Sequence, residues 1–376
     1  MRGNPKLQNP MFFVANTEER LAKNHPLRAI KRRADEVLKL MERAFDTAYS
    51  ETGRPGIPPE ALLKALLLQA LYSIPSERRL VDAINWNLLY RWFCDLDPDQ
   101  AVWDATVFTH NRERFERYGL VQKFFERVVA SALIEQYASN DHFTVDGTLI
   151  QSWASLKSFR PKDEPVDQPP AEGGSNPSVD FRGQKRRNET HRSTTDPEAR
   201  LARKSDGQPA LLCHSGHALM ENRHGLCLDI AVAAADGYAE RDTAEKLLRR
   251  FRRRHGVQAK TLGGDAGYEA GEFLHRVEKK LEITPHVPIR AEHVTSAGER
   301  GEARRRMLRR MKTQGYALSQ RARKKIEQLF GWMKQAGGLR KVRHVGRWKI
   351  QQVAYLWAAA FNLLRLAHLE VREAAA

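Results

Sequence analysis

The spacing of apolar residues predicts that the first third of the chain is helical. Leucine and alanine dominate residues 60–71, which follow a proline pair as the start of a helix often does. A second helix is predicted from Ser76, because apolar residues then recur every three or four positions. A third is predicted over 106–118, with Thr106 as its N-cap. We therefore expect an all-helical region over 1–130, serving DNA binding or dimerisation. Its basic helices fit a helix-turn-helix-like unit and an ordinary helical scaffold equally well.

Beyond residue 140 the pattern changes to short apolar runs bounded by glycine and polar residues, which is typical of strands. Strands are predicted over 142–145, 209–220, 225–235, 260–262 and 283–289. Helices are predicted over 241–255 and 269–280, and around Glu327. Three strands are thus followed by helices that alternate with strands. This order predicts an α/β, ribonuclease-H-like domain built on a mixed sheet.

A long insertion is predicted after the first strand. Residues 160–207 are rich in proline and glycine, acidic at first and then basic, so we expect a flexible segment that packs no core. It is either a solvated linker or a basic arm that orders on DNA. The catalytic domain is then expected over 131–159 and 208–337, and a basic segment with a C-terminal helix over 338–376.

The charge of the chain favours a polyanionic partner. Of its 376 residues, 63 are Lys or Arg and 46 are Asp or Glu, which gives a net charge of +17. Distributed basic charge is rewarded by phosphate binding and counterion release, so nucleic acid is the first candidate. Three cysteines and no signal peptide predict a cytoplasmic, nucleoid-associated protein. The apolar stretch at 353–364 is too short to cross a bilayer, which predicts no membrane association.

Three acidic residues are candidates for a catalytic metal site. Asp146 and Asp265 lie where predicted strands meet glycine or small residues, and Glu327 lies on a predicted helix. Carboxylates from separate elements are what two divalent ions need as ligands in phosphodiester chemistry. Either aspartate alone is more often a turn residue. In a strongly basic chain, however, a bound metal is the simplest reason to keep the three together.

The helix that carries Glu327 also carries basic residues. At 100° per residue, Gln320, Arg323, Glu327 and Lys334 fall on one face. One interpretation is an exposed pair of Arg323 with Glu327, worth only about 0.2–0.5 kcal/mol. The other is that Lys334 contacts a phosphate beside a metal-bound glutamate. Eleven of the residues from 300 to 325 are Lys or Arg, which favours the second interpretation.

Two further basic blocks are candidate DNA contacts. The block at 249–254 lies at the end of a predicted helix, where cations also suit the helix dipole, so a structural role is equally possible. The block at 340–349 mixes cations with Trp348 and favours nucleic acid. Its candidate contacts are Arg340, Lys341, Arg343, Arg347 and Lys349.

A zinc site is the weaker interpretation of a cluster of cysteines and histidines in the strand region. Alternating strand positions would send these side chains to opposite faces, and their spacing matches no common zinc module. The cluster consists of Cys213, His214, His217, His224 and Cys227.

Taken in order, the motifs of the chain resemble those of bacterial insertion-sequence transposases of the DDE class, in the insertion-sequence-five group. Each motif is weak alone, but the order is specific and the resemblance covers nearly the whole chain. The motifs are PSERRLV at 75–81, LYRWF at 89–93, VDGT at 145–148, GHALMENR at 216–223, DAGY at 265–268, and Arg323 with Glu327 and Lys334.

This resemblance implies a function and a set of roles. Asp146, Asp265 and Glu327 would bind two Mg²⁺ ions, with Mn²⁺ as a substitute, and Arg323 and Lys334 would contact transposon ends or phosphates. The implied activity is cleavage of double-stranded DNA at terminal repeats, followed by transfer of the 3′-hydroxyl into target DNA by a homo-oligomer. Gln320 departs from the family pattern, which often has a tyrosine there. A silent DNA-binding repressor, or an endonuclease without strand transfer, are the alternatives.

Overall fold

A computed structural model of the chain describes residues 17–50, 52, 56–163, 186–205, 207–237, 239–295 and 298–374. The N-terminal region is helical, as predicted. Its helices are α1 (Thr17–Arg20), α2 (Pro26–Lys39), α3 (Glu42–Ala48), α4 (Pro59–Leu71), α5 (Glu77–Trp86), α6 (Leu88–Phe93), α7 (Thr106–Arg117) and α8 (Leu120–Ile134).

Two of the predicted helix starts are explained by their caps. The hydroxyl of Ser76 accepts the backbone N–H of Arg79 at 3.3 Å, which caps α5 as its sequence indicates. The prediction that Thr106 caps α7 is wrong, because Thr106 is already inside the helix. Asp104 instead accepts the Thr106 N–H at 2.8 Å. The carboxylate that caps the start of α7 therefore lies two residues before Thr106, the residue that the sequence predicts as the cap.

The rest of the chain is mixed α/β. Its strands are β1 (His142–Ser152), β2 (Phe159–Pro161), β3 (His191–Ser193), β4 (Arg200–Ala202), β5 (Leu211–Glu221), β6 (Cys227–Ala234), β7 (Thr261–Gly263), β8 (Thr284–His286) and β9 (Lys341–Val342). Its helices are α9 (Ala239–His255), α10 (Gly271–His275) with a π-helical extension Arg276–Lys280, α11 (Gly298–Arg310), α12 (Gln314–Arg323), α13 (Lys325–Gln335) and α14 (Arg347–Ala374). Short 3₁₀ turns lie at Leu156–Ser158, Ala266–Tyr268 and Ala291–Thr295.

Strand β1 lies at the centre of the main sheet. It pairs antiparallel with β5 and parallel with β7, and β7 pairs parallel with β8. On the far side of β5 lie β6 and β4, both antiparallel to it, while β9 pairs with the end of β1. Three antiparallel strands are therefore followed by two parallel ones. This mixed sheet, with helices packed on it, is compatible with the predicted ribonuclease-H-like fold.

The sheet and the helical region share one apolar core. The long helix α14 contacts α2, α4 and α8 on one side and β6 and α13 on the other. Fifteen of its residues are buried, which fits a helix enclosed between two layers. In the part of the chain that the structure describes, no helix is long and apolar enough to cross a membrane.

Part of the predicted insertion is folded. Residues 186–205 contain β3 and β4, and a small second core joins Ala154, Phe159, Ala199 and Leu212. The expectation that this segment packs no core is therefore wrong for these residues. Residues 164–185, which carry most of the prolines and glycines, lie outside the described residues.

A buried polar contact ties this segment to the main sheet. The carboxylate of Asp196 accepts the Ser152 hydroxyl at 2.7 Å and lies 2.8 Å from Nε2 of His214. All three residues have no exposed surface. Because buried polar groups are stable only when they are paired, this contact fixes the insertion against β1 and β5.

Candidate active site

Asp146 lies in the middle of β1, opposite Ala218 of β5. The expectation that the strand ends at Asp146 is wrong, because β1 continues to Ser152. Its Oδ1 accepts the backbone N–H of Gly147 at 2.8 Å. Strand continuation fixes the backbone on both sides of the carboxylate, so Asp146 is held more rigidly than a turn residue would be.

Asp265 lies just beyond the end of β7, as predicted. It caps the 3₁₀ turn Ala266–Tyr268, and its Oδ1 accepts the Gly267 N–H at 2.8 Å. Because β7 runs parallel to β1, the turn after β7 lies on the side of the sheet toward which β1 carries Asp146. The two aspartates are close enough for the charge of Asp265 to raise the pKa of Asp146.

Glu327 is in the first turn of α13. The sequence pattern predicts one continuous helix that carries both Arg323 and Glu327, but the structure has two helices here. Helix α12 ends at Arg323, and α13 begins at Lys325 after a turn at Lys324. Arg323 and Glu327 therefore belong to different helices. The guanidinium of Arg323 lies 3.6 Å from Oδ2 of Asp146, so its ion pair is with Asp146 and not with Glu327.

The apolar side of α13 is as predicted. Ile326, Leu329, Phe330 and Met333 are all buried, while Glu327 is exposed. This packing holds the helix against β1 and α14. The charge of Glu327 also raises the pKa of Asp146, so Asp265 and Glu327 both lie within electrostatic reach of Asp146.

The pKa of Asp146 is raised from 3.8 to about 6. Burial is the largest cause, since it disfavours the charged form, and repulsion by Asp265 and Glu327 adds to it. The Gly147 N–H and Arg323 act in the opposite direction. A carboxylate held here despite burial and like charge costs stability, and such carboxylates cluster at functional sites.

Glu240, in the first turn of α9, is a fourth carboxylate in this group that the sequence reasoning missed. Burial raises its pKa, and the charges of Asp265 and Asp146 raise it further. In the sequence it looks like an ordinary acidic residue at a helix start, where the dipole favours negative charge. Only the packing of α9 across β1 and β5 brings it to the aspartates.

The chemistry of these donors fits a divalent cation. The site offers carboxylate oxygens, which Mg²⁺ and Mn²⁺ prefer. Near them the hydroxyl of Tyr268, a residue 1% exposed, has no hydrogen-bond partner among the described residues. A buried polar atom without a protein partner indicates a ligand or a water. Among the described residues, no three His, Cys, Asp or Glu side chains are grouped closely enough to hold an ion as they stand. Binding thus requires these side chains to turn toward one another.

Gln320 has a structural explanation. Its Nε2 donates to the carbonyls of His286 at 2.7 Å and of Gly264 at 3.4 Å. The amide therefore joins α12 to β8 and to the residue before Asp265. The side chain of Gln320 therefore fixes the turn that carries Asp265.

Several of the predicted basic contacts lie in or near β9. Lys334 is half-buried, and its pKa is lowered by burial and then by the neighbouring charges of Lys204 and Arg340. Lys341 and Arg343 lie over the ring of Trp153, at 4.9 and 5.3 Å from its centroid.

The other predicted basic contacts differ in their surroundings. Arg347 lies 2.7 Å from the Glu198 carboxylate, so a described ion pair already engages it. All five candidates between 340 and 349 are exposed. In the 249–254 block, Arg250 and Arg254 turn inward to Asp229, at 2.6 and 3.9 Å, which favours the structural interpretation for these two.

The cysteines and histidines of the strand region do not gather into one group in the part of the chain that the structure describes. His214 is engaged with Asp196, and Cys213 and Cys227 are buried free thiols. His217 lies opposite Gly147, and burial lowers its pKa to about 4. It is therefore neutral at physiological pH.

Comparison with known protein families finds two matches. Residues 15–114 match a model described as Transposase domain (DUF772), and residues 191–363 match one described as Transposase DDE domain. Asp265 and Glu327 lie within the second match, and Asp146 precedes it. Searches of curated proteins and of solved structures find no match. The two matches together cover most of the chain, which therefore carries a transposase domain and a transposase DDE domain.

Proposed function

We propose that this protein, as a member of the insertion-sequence-five group, cuts double-stranded DNA at the terminal repeats of its element and joins the freed 3′-hydroxyl to target DNA. The observation that supports this most is the effect of the Asp265 and Glu327 charges on Asp146. The three residues come from a strand, a turn and a helix that all pack at the centre of the sheet. In-line phosphoryl transfer relies on this kind of fixed electrostatic positioning.

The three carboxylates would hold the divalent cations. Two bound Mg²⁺ ions would supply Lewis-acid activation of the attacking oxygen and stabilisation of the leaving one. Arg323 keeps Asp146 oriented by its ion pair and lowers the repulsion between the carboxylates. Gln320 fixes the turn that carries Asp265. These residues prepare the geometry before DNA arrives.

The DNA backbone would lie along the basic side chains in and near β9. Lys334, Lys204 and Arg340 repel one another, and a phosphate between them would relieve that repulsion. Lys341 and Arg343 are held over Trp153, which fixes their direction. We infer that at least two copies of the protein associate when they are bound to DNA, since cutting and joining two ends requires at least two active sites.

The role of Lys334 can be tested by its effect on salt dependence. Lys334→Ala should weaken binding to the terminal repeats and reduce the slope of log K against log salt by about 1. Fluorescence anisotropy at several salt concentrations measures this slope. Lys246→Ala, an exposed lysine of α9, is the matched control. An unchanged slope for Lys334→Ala would count against a phosphate contact.

The experiment that tests the function is cleavage of DNA carrying the element's own terminal repeats, with Mg²⁺, Mn²⁺ or EDTA. The wild type is compared with Asp265→Asn and with Asp242→Asn, whose carboxylate is exposed on α9. We expect metal-dependent 3′-end nicking by the wild type and by Asp242→Asn, and none by Asp265→Asn. Precut ends should then be joined to a target plasmid.

The other outcomes separate the alternatives. Tight, salt-sensitive binding with no cutting under any metal would refute catalysis and support a silent DNA-binding repressor. Cutting without joining of precut ends would support an endonuclease that performs no strand transfer. Cutting by Asp265→Asn at the wild-type rate would remove that residue from the site.

A further inference from the structure

The carboxylate of Glu240 is enclosed by two glycines, each of which follows one of the candidate aspartates. A Cβ atom placed on Gly147 would lie 3.1 Å from Oε1 of Glu240, and one placed on Gly267 would lie 3.3 Å from its Oε2. Both separations are tighter than an ordinary van der Waals contact. Each oxygen of Glu240 thus faces the backbone beside Asp146 or Asp265.

Glu240 has no protein partner that accounts for this position. In the described ranges, its carboxylate makes no hydrogen bond and no ion pair, although the residue is half-buried. A partly buried carboxylate without a partner is costly. Attraction to the N-terminus of α9 would explain an acidic residue there, but it would not require glycine at two distant positions. Asp242, in the same first turn, is 68% exposed and pairs with Arg276.

The buried hydroxyl of Tyr268 is an independent sign of a missing ligand. It has no hydrogen-bond partner in the described part of the chain, and it lies within electrostatic reach of Glu240, Asp146 and Asp265. A hydroxyl buried among carboxylates needs a water or an ion-bound water as its partner. The Tyr268 hydroxyl and the carboxylates of Glu240, Asp146 and Asp265 therefore lie near one another.

We propose that Glu240 is a fourth carboxylate of the site, binding a divalent cation together with Asp146 and Asp265, and that Gly147 and Gly267 leave the space that its carboxylate occupies. The inference rests on the proposed function, because it takes the same metal site and adds a ligand to it. Two divalent cations carry as much positive charge as four carboxylates carry negative charge. The fourth ligand therefore lets the site hold two ions without excess positive charge.

The test measures metal binding in the absence of DNA. Isothermal titration calorimetry with Mn²⁺ on the full chain compares the wild type with Glu240→Gln and Asp242→Asn. Glu240→Gln should weaken Mn²⁺ binding by about tenfold or more, the size seen when groups around a metal are removed. Asp242→Asn, on the same turn of α9, should bind as the wild type does. Circular dichroism and the melting temperature in EDTA show that each variant is folded.

A second variant tests the space and not the charge. Gly267→Ala keeps every carboxylate but places a methyl group 3.0 Å from Oδ1 of Asp265 and 3.3 Å from Oε2 of Glu240, so it should also weaken Mn²⁺ binding. If Glu240→Gln binds Mn²⁺ as tightly as the wild type does, and the wild type cuts DNA, the inference is overturned and the proposed function stands. If the wild type binds no Mn²⁺ and cuts no DNA, the proposed function fails together with it.

Discussion

Replacing Asp146 by asparagine should make the metal-free protein more stable at neutral pH. The carboxylate is only 20% exposed and is repelled by Asp265 and Glu327. Asparagine has nearly the same shape, and its amide oxygen can still accept the Gly147 N–H. The substitution therefore removes a buried charge without opening a cavity.

The size of the effect follows from the pKa of Asp146, which rises from 3.8 to about 6 on folding. A carboxyl whose pKa is raised in the folded state favours folding below its unfolded pKa, and that contribution is lost as pH rises through the folded value. A shift of about 2 units corresponds to roughly 3 kcal/mol at pH 7.5. At pH 5 the folded carboxyl is mostly protonated, so the difference between the two proteins falls to about half.

The assay is thermal unfolding in EDTA of the wild type and Asp146→Asn, at pH 5 and pH 7.5 and at a fixed scan rate. The variant should melt roughly 5 °C higher at pH 7.5, with a smaller gap at pH 5. When Mg²⁺ replaces EDTA, the difference in melting temperature between the two proteins should decrease, because the ion stabilises only the wild type. An Asp146→Asn protein that is less stable than the wild type at pH 7.5 would refute the reasoning, since it would mean that the ion pair with Arg323 outweighs burial and repulsion.

Two further contacts in the interior of the protein can be tested by substitution. A Cβ on Gly337 would overlap the indole of Trp357, so Gly337→Ala should destabilise the protein by about 1–3 kcal/mol in denaturant unfolding. The control is Gly331→Ala, in open space on α13, which should be neutral or stabilising by up to about 1 kcal/mol. Asp229→Ala should cost about 3 kcal/mol by the same measurement, because it removes the carboxylate that accepts two bonds from Arg250 at 2.6 Å; a cost below about 0.5 kcal/mol would contradict a structural role for that pair.

The features that the sequence could predict are those with a local cause. The leucine-rich run that becomes α4 is buried on nearly all sides, and Ser76 caps α5 through its own hydroxyl. The apolar stripe of α13 is visible from its spacing alone. Asp265 follows β7 because a Gly-Gly pair ends the strand. In each case the residues that determine the structure are neighbours in the chain.

The features that it could not predict depend on contacts between distant segments. The glycine after Asp146 indicates the end of a strand, yet β1 continues because β5 pairs with it as far as Gln151. The helical periodicity places Arg323 and Glu327 on one helix. In the structure a turn at Lys324 divides this stretch into two helices, and Arg323 pairs with Asp146. Glu240 is brought to the site by the packing of α9. A glycine beside each aspartate is the one sequence signal that could have revealed it.

The contacts of α14 give the helical region a fixed position relative to the carboxylates. Strand β6 is an edge of the sheet in the described structure, and its free backbone groups are engaged by amide side chains of this helix. Gln351 accepts the Val232 N–H at 2.7 Å and donates to the Ile230 carbonyl at 3.0 Å, and Asn362 makes the same two kinds of bond to Cys227. Amide side chains thus replace a neighbouring strand, which protects the edge from pairing with another chain. Because the same helix packs on α2, α4 and α8, the helical region lies at a set distance from the sheet that carries the candidate carboxylates.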